Sequence, residues 1–254
     1  MIAERIRSLD TELFESVISE TSQDDRRSLL AIHDALATQL GSFSYLEIGS
    51  HLGGTLQTVI ADPRCTRVIS IDPRPDWQAD DRPGIDGWAY DGNSTERMLE
   101  ALRAVPNADM AKLETVEAST EALAPGRFSR PDLCFIDGEH TYVAALRDAR
   151  FCRTVLHSAG VIVFHDVGII SQAVVDFLYE TPGPHRGYWL RSNVFVLELG
   201  SVPSMLKHPG VRSQLYLGPH GWLAANSVGQ ARRLVSMIQS SRNLKHRFAC
   251  AVLR

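Results

Sequence analysis

No run in the 254 residues approaches the roughly 20 apolar side chains needed to span a bilayer. The N-terminus carries Glu4, Arg5, Arg7 and Asp10 where a secretory leader requires an apolar stretch. A membrane span and a signal peptide are therefore not expected, and a cytoplasmic protein is. Cysteine is scarce: Cys65, Cys134, Cys152 and Cys250 show no CxxC pairing, so free buried thiols are expected over disulfides or a zinc site. With 18 Gly and 12 Pro, the chain has too little of either for a collagen-like or low-complexity polymer. Lysine is almost missing, three against 23 arginines, a bias that says nothing about chemistry. Acid is missing altogether from residues 201–254, which hold eight basic side chains, while residues 1–200 hold 30 acidic and 18 basic ones. A tail of +8 thus follows a body of −12 within a net charge of −4. Such asymmetry fits a basic tail docked on its own body or on a partner subunit, and it also fits a nucleic-acid or membrane contact.

What is present is an ordinary globular composition, 44% hydrophobic and 22% charged, long enough for one sizeable α/β domain with decorations. Residues 2–20 and 25–39 read as helices, the second with Leu29, Leu30, Ile32 and Leu36 at helical spacing and Ser22 or Asp24 as a cap. After Gly41 short aliphatic runs alternate with helical stretches. Strands are predicted at Tyr45–Ile48, Arg67–Ile71, Lys112–Glu117, Asp132–Ile136 and Val161–Phe164, and helices over 54–61, 94–104, 119–123, 141–157 and 171–180. This alternation predicts a doubly wound, Rossmann-like, mostly parallel sheet. Tyr188–Arg191 and Val194–Leu199 predict a terminal antiparallel hairpin turning at Ser192-Asn193. Residues 201–226 read as an irregular connection and 227–240 as a basic amphipathic helix in need of a surface to cover. The expected organisation is a helical preface over 1–40, a nucleoside-binding domain over 41–200 and a basic extension over 201–254.

The run Glu47-Ile48-Gly49-Ser50-His51-Leu52-Gly53-Gly54 places a buried strand, a glycine turn and a helix start in succession. Glycine permits close backbone approach to a ligand, and a helix start offers free N–H donors. The spacing departs from G-x-G-x-x-G, which weakens a nicotinamide or flavin reading. Asp72, 18 residues beyond Gly54 at the end of the second strand, is placed to accept from both ribose hydroxyls of a nucleoside, its alternative being a turn residue before Pro73. Ser119, after the third strand, can meet an adenine edge or cap a helix.

These residues, together with Ile136-Asp137-Gly138-Glu139-His140-Thr141-Tyr142 and Gly160-Val161-Ile162-Val163-Phe164-His165-Asp166, resemble class I S-adenosylmethionine-dependent methyltransferases. More narrowly they resemble the small-molecule O-methyltransferases related to the catechol and macrolide-sugar enzymes, over about residues 41–200. The resemblance implies S-adenosylmethionine as cofactor, held by Glu47, Gly49, Ser50, Gly53, Gly54, Asp72, Ser119 and Asp137.

Asp137 and Asp166 end neighbouring strands and are expected to face one cleft with His140 and His165 nearby. Two carboxylates there can hold a hard divalent cation, and His140, at a helix start, is the candidate base. In metal-dependent relatives, the resemblance implies, Asp137, Asp166 and His140 match the metal ligands and base, whereas His165 stands where a carboxylate is usual. The candidate metal set is therefore Asp137, His165 and Asp166, with Mg²⁺ or Mn²⁺ as the ion. Taken singly, each of these residues is equally a turn former, a helix cap or a satisfied polar group at a cleft rim. The insertion over 73–93, with Trp77, Trp88 and Tyr90 among Asp76, Asp80, Asp81, Asp86 and Asp91, reads as a lid or as a loop anchored by its tryptophans; Asp91 and Asn93 are candidates to reach the cofactor.

The expected function is metal-assisted O-methylation of a small-molecule hydroxyl on a sugar, phenol or natural-product scaffold, without nucleic acid and with a homodimer formed through the terminal helices. A non-catalytic nucleoside-binding subunit and a nucleic-acid methyltransferase are the alternatives.

Overall fold

The computed structural model of the chain describes residues 1–216 and 222–225. In chain order the elements are α1 (Ile2–Arg7), α2 (Gln23–Leu40), β1 (Phe43–Ile48), α3 (Leu56–Ala61), β2 (Cys65–Ile71), β3 (Trp77–Ala79), β4 (Gly87–Ala89), α4 (Thr95–Arg103) and β5 (Leu113–Val116). There follow β6 (Leu133–Ile136), α5 (Tyr142–Val155), β7 (Gly160–Phe164), α6 (Val167–Glu180), β8 (His185–Trp189), β9 (Phe195–Leu199), α7 (Pro209–Ser213) and β10 (Trp222–Ala225). One eight-stranded sheet has the order β10-β8-β9-β7-β6-β1-β2-β5, and β3 and β4 form a small antiparallel sheet of their own. The five strands from β7 to β5 are parallel, while β9, β8 and β10 close the other edge antiparallel.

Strand alternation divides the core. Phe43 and Tyr45 of β1 face one apolar layer, built with Leu29 and Leu36 of α2, Leu56 and Val59 of α3, and Met98 and Leu102 of α4. Leu46 and Ile48 face the other, built with Leu146 and Cys152 of α5 and Val174 and Phe177 of α6. Both faces are covered, so the strands read as near-continuous hydrophobic runs. The chain winds outward from β1 to β2 and β5, then returns to the opposite side of β1 as β6. That reversal opens a crevice at the carboxyl ends of β1 and β6, the position where such sheets bind ligands.

The helix expected over 2–20 stops at Arg7: Leu9 takes a left-handed φ of 57°, and Asp10 accepts from the Glu12 amide to start a separate 3-10 turn over Thr11–Phe14. The segment expected as a helix over 119–123 is likewise a single 3-10 turn, Thr120–Ala122. α2 is better capped than its apolar spacing required, since Ser22 Oγ accepts from the Asp25 amide and Asp25 reaches back to the Ser22 amide. The irregular connection expected over 201–226 contains α7 and the edge strand β10, paired antiparallel with β8. Cys65, Cys134 and Cys152 are buried free thiols, and Cys250 and the helix expected over 227–240 lie outside the described residues. Among the described residues no helix is long and apolar enough to cross a membrane.

Candidate active site

The turn after β1 is shaped by its contact with β6. Gly49 has φ 85°, and a Cβ there would stand 2.2 Å from the Asp137 carbonyl oxygen. A Cβ on Gly54 would stand 2.5 Å from the Ile18 carbonyl oxygen, because residues 18–21 of the preface lie over the turn. Between them a cleft of about 680 Å³ is lined by Gly49, Ser50, Gly54, Asp72, Asn93 and Asp137. Gly53, at φ 84°, packs instead on Leu102.

Three of the residues read as cofactor contacts are placed differently from one another. Glu47 lies wholly buried behind the turn, where it accepts from Thr55 Oγ1 at 2.6 Å and the Tyr45 hydroxyl at 2.5 Å, and burial pushes its carboxyl up to about 8. Asp72 lines the cleft floor, accepting from the His51 amide and the Arg74 amide, each at 2.8 Å. Its charge is met by the Arg74 guanidinium at 3.3 Å, a partner that no sequence pattern announced. Arg74 itself is left-handed, φ 56°, and buried against the His51 carbonyl and Asn93. Ser119 makes no cap bond and lines a smaller pocket with Pro73 and Gln78, on the other side of Gly49. Asn93 reaches the main cleft and Asp91 does not line it.

At the carboxyl ends of β6 and β7 the strands place Asp137 and Asp166, and the loop before α5 adds His140. One donor atom from each of these three lies within 4.8 Å of the others. His140 Nε2 is 3.2 Å from Asp166 Oδ2 and 3.9 Å from Asp137 Oδ1, and among the described residues it has no hydrogen-bond partner although buried. Its Nδ1 meets Asp80 Oδ2 at 3.1 Å. Burial opposes the charged ring, but the neighbouring carboxylates of Asp137, Asp166 and Asp80 outweigh it and raise His140 above its ordinary range.

His165 does not join that group. Its Nδ1 donates to Asp137 Oδ1 at 2.8 Å, and its Nε2 stands 3.5 Å from Asp25 Oδ2 on α2. Despite burial, the flanking carboxylates raise its pKa well above the ordinary value. Asp25 is drawn down to about 2 because His165, Ser22 and the Asn193 amide together overcome the opposing effect of burial. Sequence reasoning missed both Asp25 and Asp80: neither lies in a motif, and only the fold brings the preface and the insertion to these histidines. A second cleft, of about 870 Å³, shares His140, His165 and Asp166 with the first and is walled by Asp25, Arg82, Trp88 and Tyr90. The Arg82 guanidinium sits 5.6 Å from the Trp88 ring centroid, a cation–π contact.

Residues 46–167 match a family model described as a methyltransferase domain. No curated protein matches the sequence. Among solved structures, the calicheamicin methyltransferase CalS11 is 18% identical over 79% of this chain and 92% of its own, with a TM-score of 0.50. An O-methyltransferase from Bacillus cereus in complex with S-adenosylhomocysteine is 11% identical over 78% and 90%, with a TM-score of 0.50. MycE of the mycinamycin biosynthetic pathway, solved with Mg, S-adenosylhomocysteine and mycinamycin VI, is 14% identical over 77% of this chain and 53% of its own, with a TM-score of 0.51. The chain thus shares its fold with these methyltransferases.

Proposed function

We propose that the protein transfers the methyl group of S-adenosylmethionine to a hydroxyl of a small polar molecule, in the cytoplasm and with the help of a divalent cation. The observation that carries this reading is the convergence of Asp137, His140 and Asp166 where the two clefts meet. The glycine-turn cleft receives the nucleoside, with Gly49, Ser50 and Gly54 permitting close backbone approach, Asp72 accepting from the ribose hydroxyls and Ser119 facing the adenine side, while Gly53 serves the turn by its packing on Leu102. Glu47 contributes from behind by tying Thr55, at the start of α3, to β1. The cleft beyond His140 receives the acceptor.

The donor set fits a cation. Asp137 and Asp166 are oxygen ligands suited to Mg²⁺ or Mn²⁺, and the unpartnered Nε2 of His140 faces the same point. Asp137 and Asp166 would hold the ion, and His165, bonded to Asp137, orients one of them. A bound cation would lower the pKa of a hydroxyl beside it. His140 Nε2 takes the hydroxyl proton as the oxygen attacks the methyl carbon; a C–O bond forms, the S–CH₃ bond breaks and S-adenosylhomocysteine leaves. The rest of the rate comes from alignment and exclusion of water, since the sulfonium is already a reactive donor.

The test is turnover of the methyl donor across a panel of hydroxyl acceptors by wild type and His140→Ala. Loss of the base should lower kcat about 10²- to 10⁴-fold while the donor dissociation constant stays within about twofold, because His140 acts on the acceptor. Retained turnover removes His140 from the reaction, and donor binding without turnover on any acceptor returns the non-catalytic nucleoside-binding reading.

A further inference from the structure

The insertion between β2 and α4 does more than cover the cleft. The backbone of Asp80 bridges that of His140, the Asp81 amide donates to the His140 carbonyl at 3.0 Å, and the Tyr142 amide donates to Asp81 Oδ2 at 2.6 Å. The loop carrying the histidine is thus held by the loop carrying Asp80. The Asp80 side chain is fully buried at the centre of this clasp. Its Oδ1 accepts from the Arg82 amide at 2.8 Å and Arg82 Nε at 3.2 Å, and its Oδ2 accepts from Trp88 Nε1 at 3.2 Å. Every neighbour is a donor, which keeps the carboxylate ionised and fixed in place. An ionised carboxylate can only accept, so the His140 Nδ1 at 3.1 Å must carry the proton, and in the neutral ring the lone pair falls on Nε2, the nitrogen turned to Asp137 and Asp166.

We propose that Asp80 is the positioning residue of His140: it selects the Nδ1–H tautomer and aims Nε2 at the acceptor, so that the insertion over 73–93 supplies a working part of the site. This rests on the methyl-transfer reading for its consequence in rate, but not for the tautomer itself. One competing arrangement is built into the same geometry. Arg82 NH2 lies 3.3 Å from Nδ1 and, if it donated there, would leave the lone pair on the wrong nitrogen.

The experiment is ¹⁵N–¹H correlation spectroscopy of full-length protein labelled at histidine, in chelator and in buffer alkaline enough to keep His140 neutral, with His140→Gln to assign the signals. Wild type should show Nδ1 protonated and Nε2 bare; the reverse pattern overturns the proposal without any variant, and no acceptor is needed. In Asp80→Asn, whose amide can donate to Nδ1 as well as accept from it, the tautomer ratio should shift at least about tenfold, with Asp80→Glu closer to wild type. An unchanged ratio in Asp80→Asn also overturns the proposal. On an identified acceptor, Asp80→Asn should lower kcat by about 10²-fold with KM and donor affinity within about threefold, a split that general loosening of the fold would not give. If no acceptor is ever methylated, the methyl-transfer reading fails while the tautomer result stands or falls separately.

Discussion

At the scale of single residues the site is held by close backbone approach and by carboxylates paired with buried cations. Gly49 shows the first. Its positive φ and the 2.2 Å approach of the Asp137 carbonyl to a hypothetical Cβ act together, whereas Gly84 has a similar φ of 81° with nothing near its Cβ position. Gly84→Ala should therefore cost only the left-handed backbone, about 1–2 kcal/mol by denaturant unfolding. Gly49→Ala must push β1 away from β6 and should cost several times that, or abolish donor binding. Equal losses in the two variants would show that the turn has room to relax. Of the candidate site, Asp72, Asp137, His140 and Asp166 were legible in the sequence because each ends a strand or opens a helix within a short motif. His165 was legible as a neighbour but not as a partner of Asp25, since its orientation depends on a helix packed from the far end of the chain.

At the scale of elements, the parallel strands were readable because each is covered on both faces and shows as an uninterrupted aliphatic run. The preface was harder. Its first helix is cut at Leu9 by a backbone conformation that hydrophobic spacing does not encode. α2 presented an apolar stripe but is buried from Ser28 to Ala37, polar residues included, because α1 and α7 pack against it. One of those polar residues, His33, stacks on Phe43 and meets the edge of Tyr45, with neither nitrogen partnered among the described residues. Burial, opposed in part by Asp62, holds its pKa down to about 4 against an ordinary 6.5. The unfolded chain takes up a proton near pH 6.5 that the folded chain refuses until about pH 4. Stability is therefore full above that window and falls as pH drops through it, by at most about 3 kcal/mol. Urea midpoints of wild type and His33→Phe across pH 4 to 7 check this: the variant should lose less of its stability on acidification, and parallel curves would assign the acid lability elsewhere.

At the scale of the whole molecule, the site is assembled from parts that the sequence reading had kept separate. The preface supplies Asp25 and residues 18–21, the insertion supplies Asp80 and Arg82, and the parallel strands supply the acids. The proposed division at residue 40 therefore marks a change in texture along the chain, since the wall of the second cleft crosses it. The expected terminal hairpin is present, extended by an edge strand at 222–225 that the Gly- and Pro-bearing sequence around it concealed.

We propose one continuous site that holds a methyl donor over the glycine turn and a cation at its far end. Isothermal titration of S-adenosylmethionine into the full-length protein, in chelator and then in Mg²⁺ or Mn²⁺, tests it most directly. Saturable binding at about micromolar Kd is expected in every condition, with a separate metal heat that disappears in Asp137→Asn. Absence of donor binding in all conditions would contradict it.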